Sequence, residues 1–577
     1  MDTESGHTRT VKPLLSSRLR LSILLIFGIM ASIFADRKHP KTGPHPLSLL
    51  DFAIWVFAGY QVLSWFFLDQ KWLLCLILAS LAYMGAVSFY RLYLSPLRKI
   101  PGPPLGIITY WYELFYDVWP GIGQYTEKIG ELHNKYGPII RINPHEVHIK
   151  DHTFYTSLYV ERAKRRSHKW TFTSAGFDLY GSVLVTPDHD IHSRWRASLN
   201  PFFGKSTVLK VEYIIQDKVE RLCKRLEEWK GKSAPVNLNY AFSAVANDIV
   251  STYLFARPYG TLDVPDFDPN WEDVVLKFAA TAHLMNHFSF IQPIAKLLPR
   301  SVLALIDPRM LRIFEREKML EGQIKEILDG NNKDYMKNYV NGHGTIFHDI
   351  IFNSNLPPRD LELERLRDEG QGLVMAGTIT TSRSLYMMAY FILAKPGVLR
   401  KLRDELREPM KDYPVVRPKW TELEQLPYLS AVIKEGLRLG HGSSHRLARV
   451  FPDYDLPYGD LIIPRNTPIG MSGAFMQEHP VIFENPTDFD PERWLRASPE
   501  ELVEMNRCNV PFGKGSRGCM GINLAHAELF NVIAAIFRPG WLEMELFETT
   551  EKDVRRKHDF MADQPDLNSK GVRVLIK

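Results

Sequence analysis

The segment Phe512-Gly513-Lys514-Gly515-Ser516-Arg517-Gly518-Cys519-Met520-Gly521 constrains this chain more than any other. Four glycines in ten residues permit a tight loop and close approach by a flat body. A helix-like apolar run, Ile522–Phe537, follows at once. Cys519 therefore stands just ahead of a helix N-terminus, where the dipole and free N–H groups favour thiolate over thiol. Arg517 adds a positive charge two residues away. A thiolate so placed suits a metal ligand, and the lack of a C-x-x-C partner argues against zinc and iron–sulfur sites. A lone cysteine is otherwise a buried structural residue, which is the reading for Cys508, outside the glycine setting.

The chain has 577 residues, 45% of them hydrophobic and 24% charged, enough to bury a large core and too apolar for disorder. A formal charge of +5 from 71 basic and 66 acidic residues does not suggest a nucleic-acid binder. Four cysteines do not make a secreted disulfide scaffold, which points to a reducing, cytosol-facing body. Apolar spacing predicts helices over 211–229, 361–393, 398–407 and 429–439. Short strand-like runs fall at 139–142, 147–149, 461–463 and 572–576. No repeat or second linker divides residues 105–577. The expectation is one large, mainly α domain with small β-sheets, organised around something bulky.

Residues 1–91 read as an N-terminal membrane anchor with uncharged runs at 21–35, 52–68 and 72–90. The last run, at about 1.5 Å per residue, nearly spans a hydrocarbon core of roughly 30 Å. The run at 21–35 also fits a signal-peptide core or an interfacial segment. Arg91, Arg98 and Lys99 place the end of the last run on the cytosolic side. A third span would put Arg9, Lys12, Arg18 and Arg20 on the lumenal side, so two or three transmembrane helices remain open. Residues 92–104, with Pro101-Gly102-Pro103-Pro104, stop the membrane helix and read as a basic, proline-rich hinge or stiff linker.

The spacing F-x-x-G-x-R-x-C-x-G, met at Phe512, Gly515, Arg517, Cys519 and Gly521, resembles the haem-binding loop of the cytochrome P450 family. The resemblance extends from residue 100 to the end of the chain and is strongest to fungal, trichodiene oxygenase-like members. It implies the cytochrome P450 fold, haem b as cofactor and Cys519 as axial ligand to the haem iron. Glu435 and Arg438 match the family's E-x-x-R, and Arg493 the arginine that joins it in a structural network behind the cysteine loop. His192, Arg196, Arg449 and Arg517 match positions that reach the haem propionates. Ala376, Gly377 and Thr380 match the oxygen-handling helix, where Gly377 leaves room for oxygen and Thr380 orients a proton-delivering water. Ile379 departs from the pattern, because many members carry an acid there; this puts the usual proton route in doubt. By family position Ser444 and Leu447 face the substrate, and segments 172–185 and 276–298 roof the cavity.

The resemblance implies a membrane-bound monooxygenase of the endoplasmic reticulum, its catalytic domain facing the cytosol. NADPH-cytochrome P450 reductase would supply electrons, with Lys514 and Arg194 on the basic face it meets. One atom of O2 would enter a lipophilic secondary metabolite, first of all a terpenoid, with polyketides as the alternative. The other readings are a haem-thiolate isomerase or dehydratase and a non-enzymatic haem sensor. Retention of Ala376, Gly377 and Thr380 argues against the isomerase or dehydratase.

Overall fold

The computed structural model describes residues 70–119, 121–160, 165–299, 301–302, 310–331 and 345–577. The apolar runs 21–35 and 52–68 lie outside them. The third run forms α1 (Gln70–Phe89), which continues through a π-helical turn at Tyr90–Leu94. Leu74–Leu94, 21 residues, is long and apolar enough to cross a membrane and is largely exposed.

Residues 92–104 are docked on the body, which corrects the hinge. Leu97 and Ile100 are buried in a core with β1 (Ile139–Arg141) and β2 (Val147–Ile149). Pro101 O accepts from Arg141 N at 2.7 Å, and a Cβ on Gly102 would lie 2.1 Å from Arg141 O. Arg91 donates to Ile108 O, and Arg141 Nη1 donates to Arg91 O at 2.7 Å. The helix ends at Leu94, before Ser95-Pro96 and ahead of the Pro101–Pro104 run expected to stop it, and that run is held to β1 by backbone pairing.

Next come α2 (Trp111–Val118), α3 (Tyr125–Tyr136), α4 (His189–Leu199), α5 (Leu238–Phe255), α6 (Pro269–His287) and α7 (Ile291–Leu297). The central rod is α8 (Leu363–Ala394), 32 residues long. Against it pack α5, α9 (Pro427–Gly440) and α10 (Ile522–Phe537). Of the 18 residues in α5, 16 are buried, so it is apolar around most of its girth and runs through the core.

The remaining strands are β3 (His168–Lys169), β4 (Val236–Asn237), β5 (Arg449–Val450), β6 (Leu456–Tyr458), β7 (Leu461–Ile463), β8 (Pro468–Gly470), β9 (Met544–Leu546), β10 (His558–Phe560), β11 (Ala562–Gln564) and β12 (Arg573–Ile576). They make a five-stranded sheet in the order β1-β2-β8-β5-β3, a three-stranded sheet β4-β12-β9 and two hairpins. In the largest sheet β2 and β8 are parallel and the other pairs antiparallel. This is the mainly helical architecture with small sheets that the sequence predicts.

Candidate active site

The cysteine loop is closed by its own backbone. Cys519 N donates to Phe512 O at 2.7 Å, and Gly518 N to Gly515 O at 3.0 Å. Gly513 and Gly515 have φ of 63° and 76°, the left-handed region that favours glycine. At Gly515 a Cβ would also lie 2.5 Å from Val160 O. Cys519 is exposed by surface area, yet burial raises its thiol pKa, opposed by the Gly521 N–H and by Arg196. A side chain that is both exposed and surrounded faces an internal gap. Burial thus works against the thiolate that the sequence predicts, and the Gly521 N–H at the helix terminus works for it. Arg517 turns away, donating to Thr186 O and Pro187 O at 2.7 and 2.8 Å. Arg196 takes its place, with Nη1 2.7 Å from Gly518 O.

His192, Arg196, Arg449 and Arg517 gather in one place. His192, on α4, is buried, and burial with Arg517, Arg196 and Arg449 depresses its pKa. Arg517 lies well below the usual guanidinium range, through burial, then Arg449, with only Asp188 of its main neighbours opposing. Lys169, which sequence reasoning missed, joins them. It pairs in antiparallel register with Arg449 and is pushed down to about 7 by burial, Arg517 and Arg449. Like charges directly opposite in a sheet destabilise it. The register also explains the omission, since nothing in Ser167-His168-Lys169-Trp170 tells which strand it meets.

Glu435, Arg438 and Arg493 form one buried network. Arg438 Nε and Nη2 reach Glu435 Oε2 and Oε1 at 2.9 and 2.7 Å, and Arg493 Nε reaches Oε1 at 3.0 Å. Trp494 Nε1 and Asp490 N complete the carboxylate. The network extends toward the cysteine loop through Gln477, whose backbone O accepts from Arg438 and whose side chain donates to Asn509. A Cβ on Gly442, just past α9, would lie 1.8 Å from Pro511 O, so this turn abuts the loop.

In mid-α8, Thr380 is exposed between buried Thr378 and Thr381, and its hydroxyl donates to Ala376 O at 2.8 Å. Gly377 has a reason other than oxygen access: a Cβ there would lie 2.9 Å from Val250 of α5. Ile379 lines a small cavity with Ser243, Leu276, Thr378 and Tyr386. Ser444 and Leu447 do not line it. Ser444 is buried beside Met561, its hydroxyl unpartnered, and Leu447 lies against Gly513 of the cysteine loop. The two expected roof segments do pack together: Asn286 and Gln292 side chains bond Gly176 N and O at 2.7 and 2.9 Å. Arg194 is ion-paired with Asp360 at 2.6 Å, whereas Lys514 donates to the backbone carbonyl of Arg507 at 2.9 Å.

A family model described as Cytochrome P450 matches residues 101–565. The chain belongs to the cytochrome P450 family and is a monooxygenase that uses haem b with electrons from a reductase partner. The described apolar helix near its N-terminus is consistent with a membrane anchor. The chain is 41% identical to Cytochrome P450 monooxygenase oblB of Cochliobolus heterostrophus, over 86% of this chain and 94% of the relative. It is 40% identical to Fusicoccadiene C-8 hydroxylase of Phomopsis amygdali, over 88% and 97%. It is 37% identical to Tryptophan 6-hydroxylase fscE of Fusarium equiseti, over 87% and 96%.

Proposed function

We propose that this monooxygenase hydroxylates a terpenoid hydrocarbon of fungal secondary metabolism at an unactivated carbon. The observation that carries the reading is the likeness to Fusicoccadiene C-8 hydroxylase over nearly the whole of both chains. Tryptophan 6-hydroxylase fscE, nearly as similar, makes an aromatic amino acid the second reading. NADPH-cytochrome P450 reductase is the electron donor, and the endoplasmic reticulum membrane holds residues 1–91, with residues 105–577 as the catalytic domain on the cytosolic side.

Haem fits the donor set of the site. Arg449 and Lys169 are buried cations with no carboxylate among their main electrostatic neighbours, a charge that two propionates complete. His192, Arg196 and Arg517 stand beside them as further donors. Cys519 presents its sulfur to the gap, and once the thiol proton leaves, the Gly521 N–H and Arg196 favour the anion. Phe512, Gly515 and Gly521 shape the loop that holds it. When bound, the haem supplies the O2 activation and oxygen insertion that no side chain can. Thr380 Oγ1 donates to Ala376 O, which leaves its lone pairs to accept from a water in the gap. Ile379 stands in place of an acid, and the carboxylate on the other side of Thr380 is buried Glu528, hydrogen-bonded to Thr381.

The test is a substrate panel with the full chain and reductase. A terpenoid hydrocarbon should give hydroxylated product and a low-to-high-spin shift on binding; turnover of tryptophan alone would overturn the reading. Cys519→Ala should abolish the thiolate signature of the reduced carbon monoxide complex, whereas Cys508→Ala should leave it.

A further inference from the structure

We propose that Glu113, Asp117 and His287 form a site for a divalent transition ion, zinc by donor chemistry, which ties α6 to α2. The site is separate from the haem assignment and does not depend on it. Glu113 and Asp117 stand four residues apart on α2, so both carboxylates leave one face. His287 ends α6, which packs on α2. One ligand atom from each residue lies within 4.8 Å of the other two. Bonds of about 2.0–2.2 Å to a shared ion would draw these atoms roughly 3–4 Å apart, a sub-ångström to ångström closure.

The imidazole carries the argument. His287 is 7% exposed, and its Nε2 is buried with no hydrogen-bond partner. That nitrogen lies 3.7 Å from Asp117 Oδ2, too far for a hydrogen bond. The carboxylates it faces are 1% and 4% exposed. A desolvated nitrogen aimed at desolvated carboxylates, bonded to none of them, has ligand geometry.

Both carboxylates are also held from behind, as ligating groups commonly are. Asn143 Nδ2 donates to Glu113 Oε2 at 2.9 Å, and Arg446 binds Oε1. His283, one turn before His287, sets its Nδ1 3.4 Å from Asp117 Oδ1 and its Nε2 on Asp559 O. Arg446 is shared with Glu146, so one guanidinium serves the two carboxylates Glu113 and Glu146. A dication supplies the missing positive charge. Two oxygens and one imidazole nitrogen suit zinc and disfavour soft ions such as copper(I).

The experiment uses the full-length, haem-loaded protein in lipid nanodiscs, stripped with chelator, incubated with zinc chloride and desalted. One retained zinc per haem iron is expected, and Asp117→Asn or His287→Gln should each lower it at least tenfold with the haem spectrum unchanged. Zinc-edge X-ray absorption on the unmodified protein should show a nitrogen and oxygen shell with one imidazole, and it decides the matter if the variants do not fold. No retained zinc would overturn the proposal. Undiminished zinc in folded variants, or a sulfur-containing shell, would do the same.

Discussion

Two buried charged clusters flank the cysteine loop, and they differ in closure. Around Glu435 every carboxylate oxygen is met, and Arg438 and Arg493 spend their remaining N–H groups on backbone carbonyls. Around Arg449 the chain collects cations and leaves the anion out: Lys169 sits opposite Arg449, and Arg517 has a single opposing carboxylate among its main neighbours. Identical residue types thus serve opposite ends. A network complete in itself fixes the fold, whereas an incomplete one marks where a ligand must finish the charge balance.

The sharpest way to break this contrast is at the closed cluster. Glu435→Ala strands two buried guanidinium groups and should cost about 3–5 kcal/mol. Thermal unfolding should show that loss, and near-native stability would mean the network is not closed. At the open cluster the sign reverses. Arg449→Met removes a cation from its place opposite Lys169, so the apoprotein should unfold no more readily while haem leaves at least tenfold faster. Transfer of haem to a scavenger protein measures this, and an unstable apoprotein would make the two clusters equivalent.

A smaller effect concerns protons. Lys169 lies near 7 through burial, then Arg517 and Arg449, against about 10.4 in the unfolded chain. Between these values the unfolded chain binds a proton that the apoprotein lacks. Apoprotein stability therefore falls as pH drops through this window, and the loss is complete below about 7. Propionates bound here would restore the proton, so haem binding at about pH 8.5 should take up close to one proton, and Lys169→Gln should remove that uptake. Indicator measurements in weak buffer test it. The smallest change is expected at Thr380→Ala: a severalfold drop in product per NADPH with more peroxide, while substrate binding holds. Unchanged coupling would remove Thr380 from proton delivery.

The sequence was most legible where function imposes spacing. The cysteine loop and the E-x-x-R pair are local patterns, His192, Arg196, Arg449 and Arg517 were matched by family position, and the fold brings each set together. The amphipathic helices were readable for a related reason, since one wet face leaves a period: the expected 429–439 helix is Pro427–Gly440. Leu238–Phe255 left no such period because nearly every position is buried. Lys169 became visible only through register, a long-range fact, and the packing role of Gly377 only through the neighbour whose Cγ2 fills its space. The docked proline segment was hidden likewise: proline announces a stop, and says nothing of the strand that receives the chain.

That docking gives the apolar helix a stiff shoulder. With Arg91 and Arg141 bonding across the junction and Leu97 and Ile100 inserted in the body, helix and catalytic domain share one frame. A helix in lipid answers to bilayer thickness by changing its tilt. Were α1 set in lipid, a change in its tilt would turn the docked body with it, because the two are joined without slack.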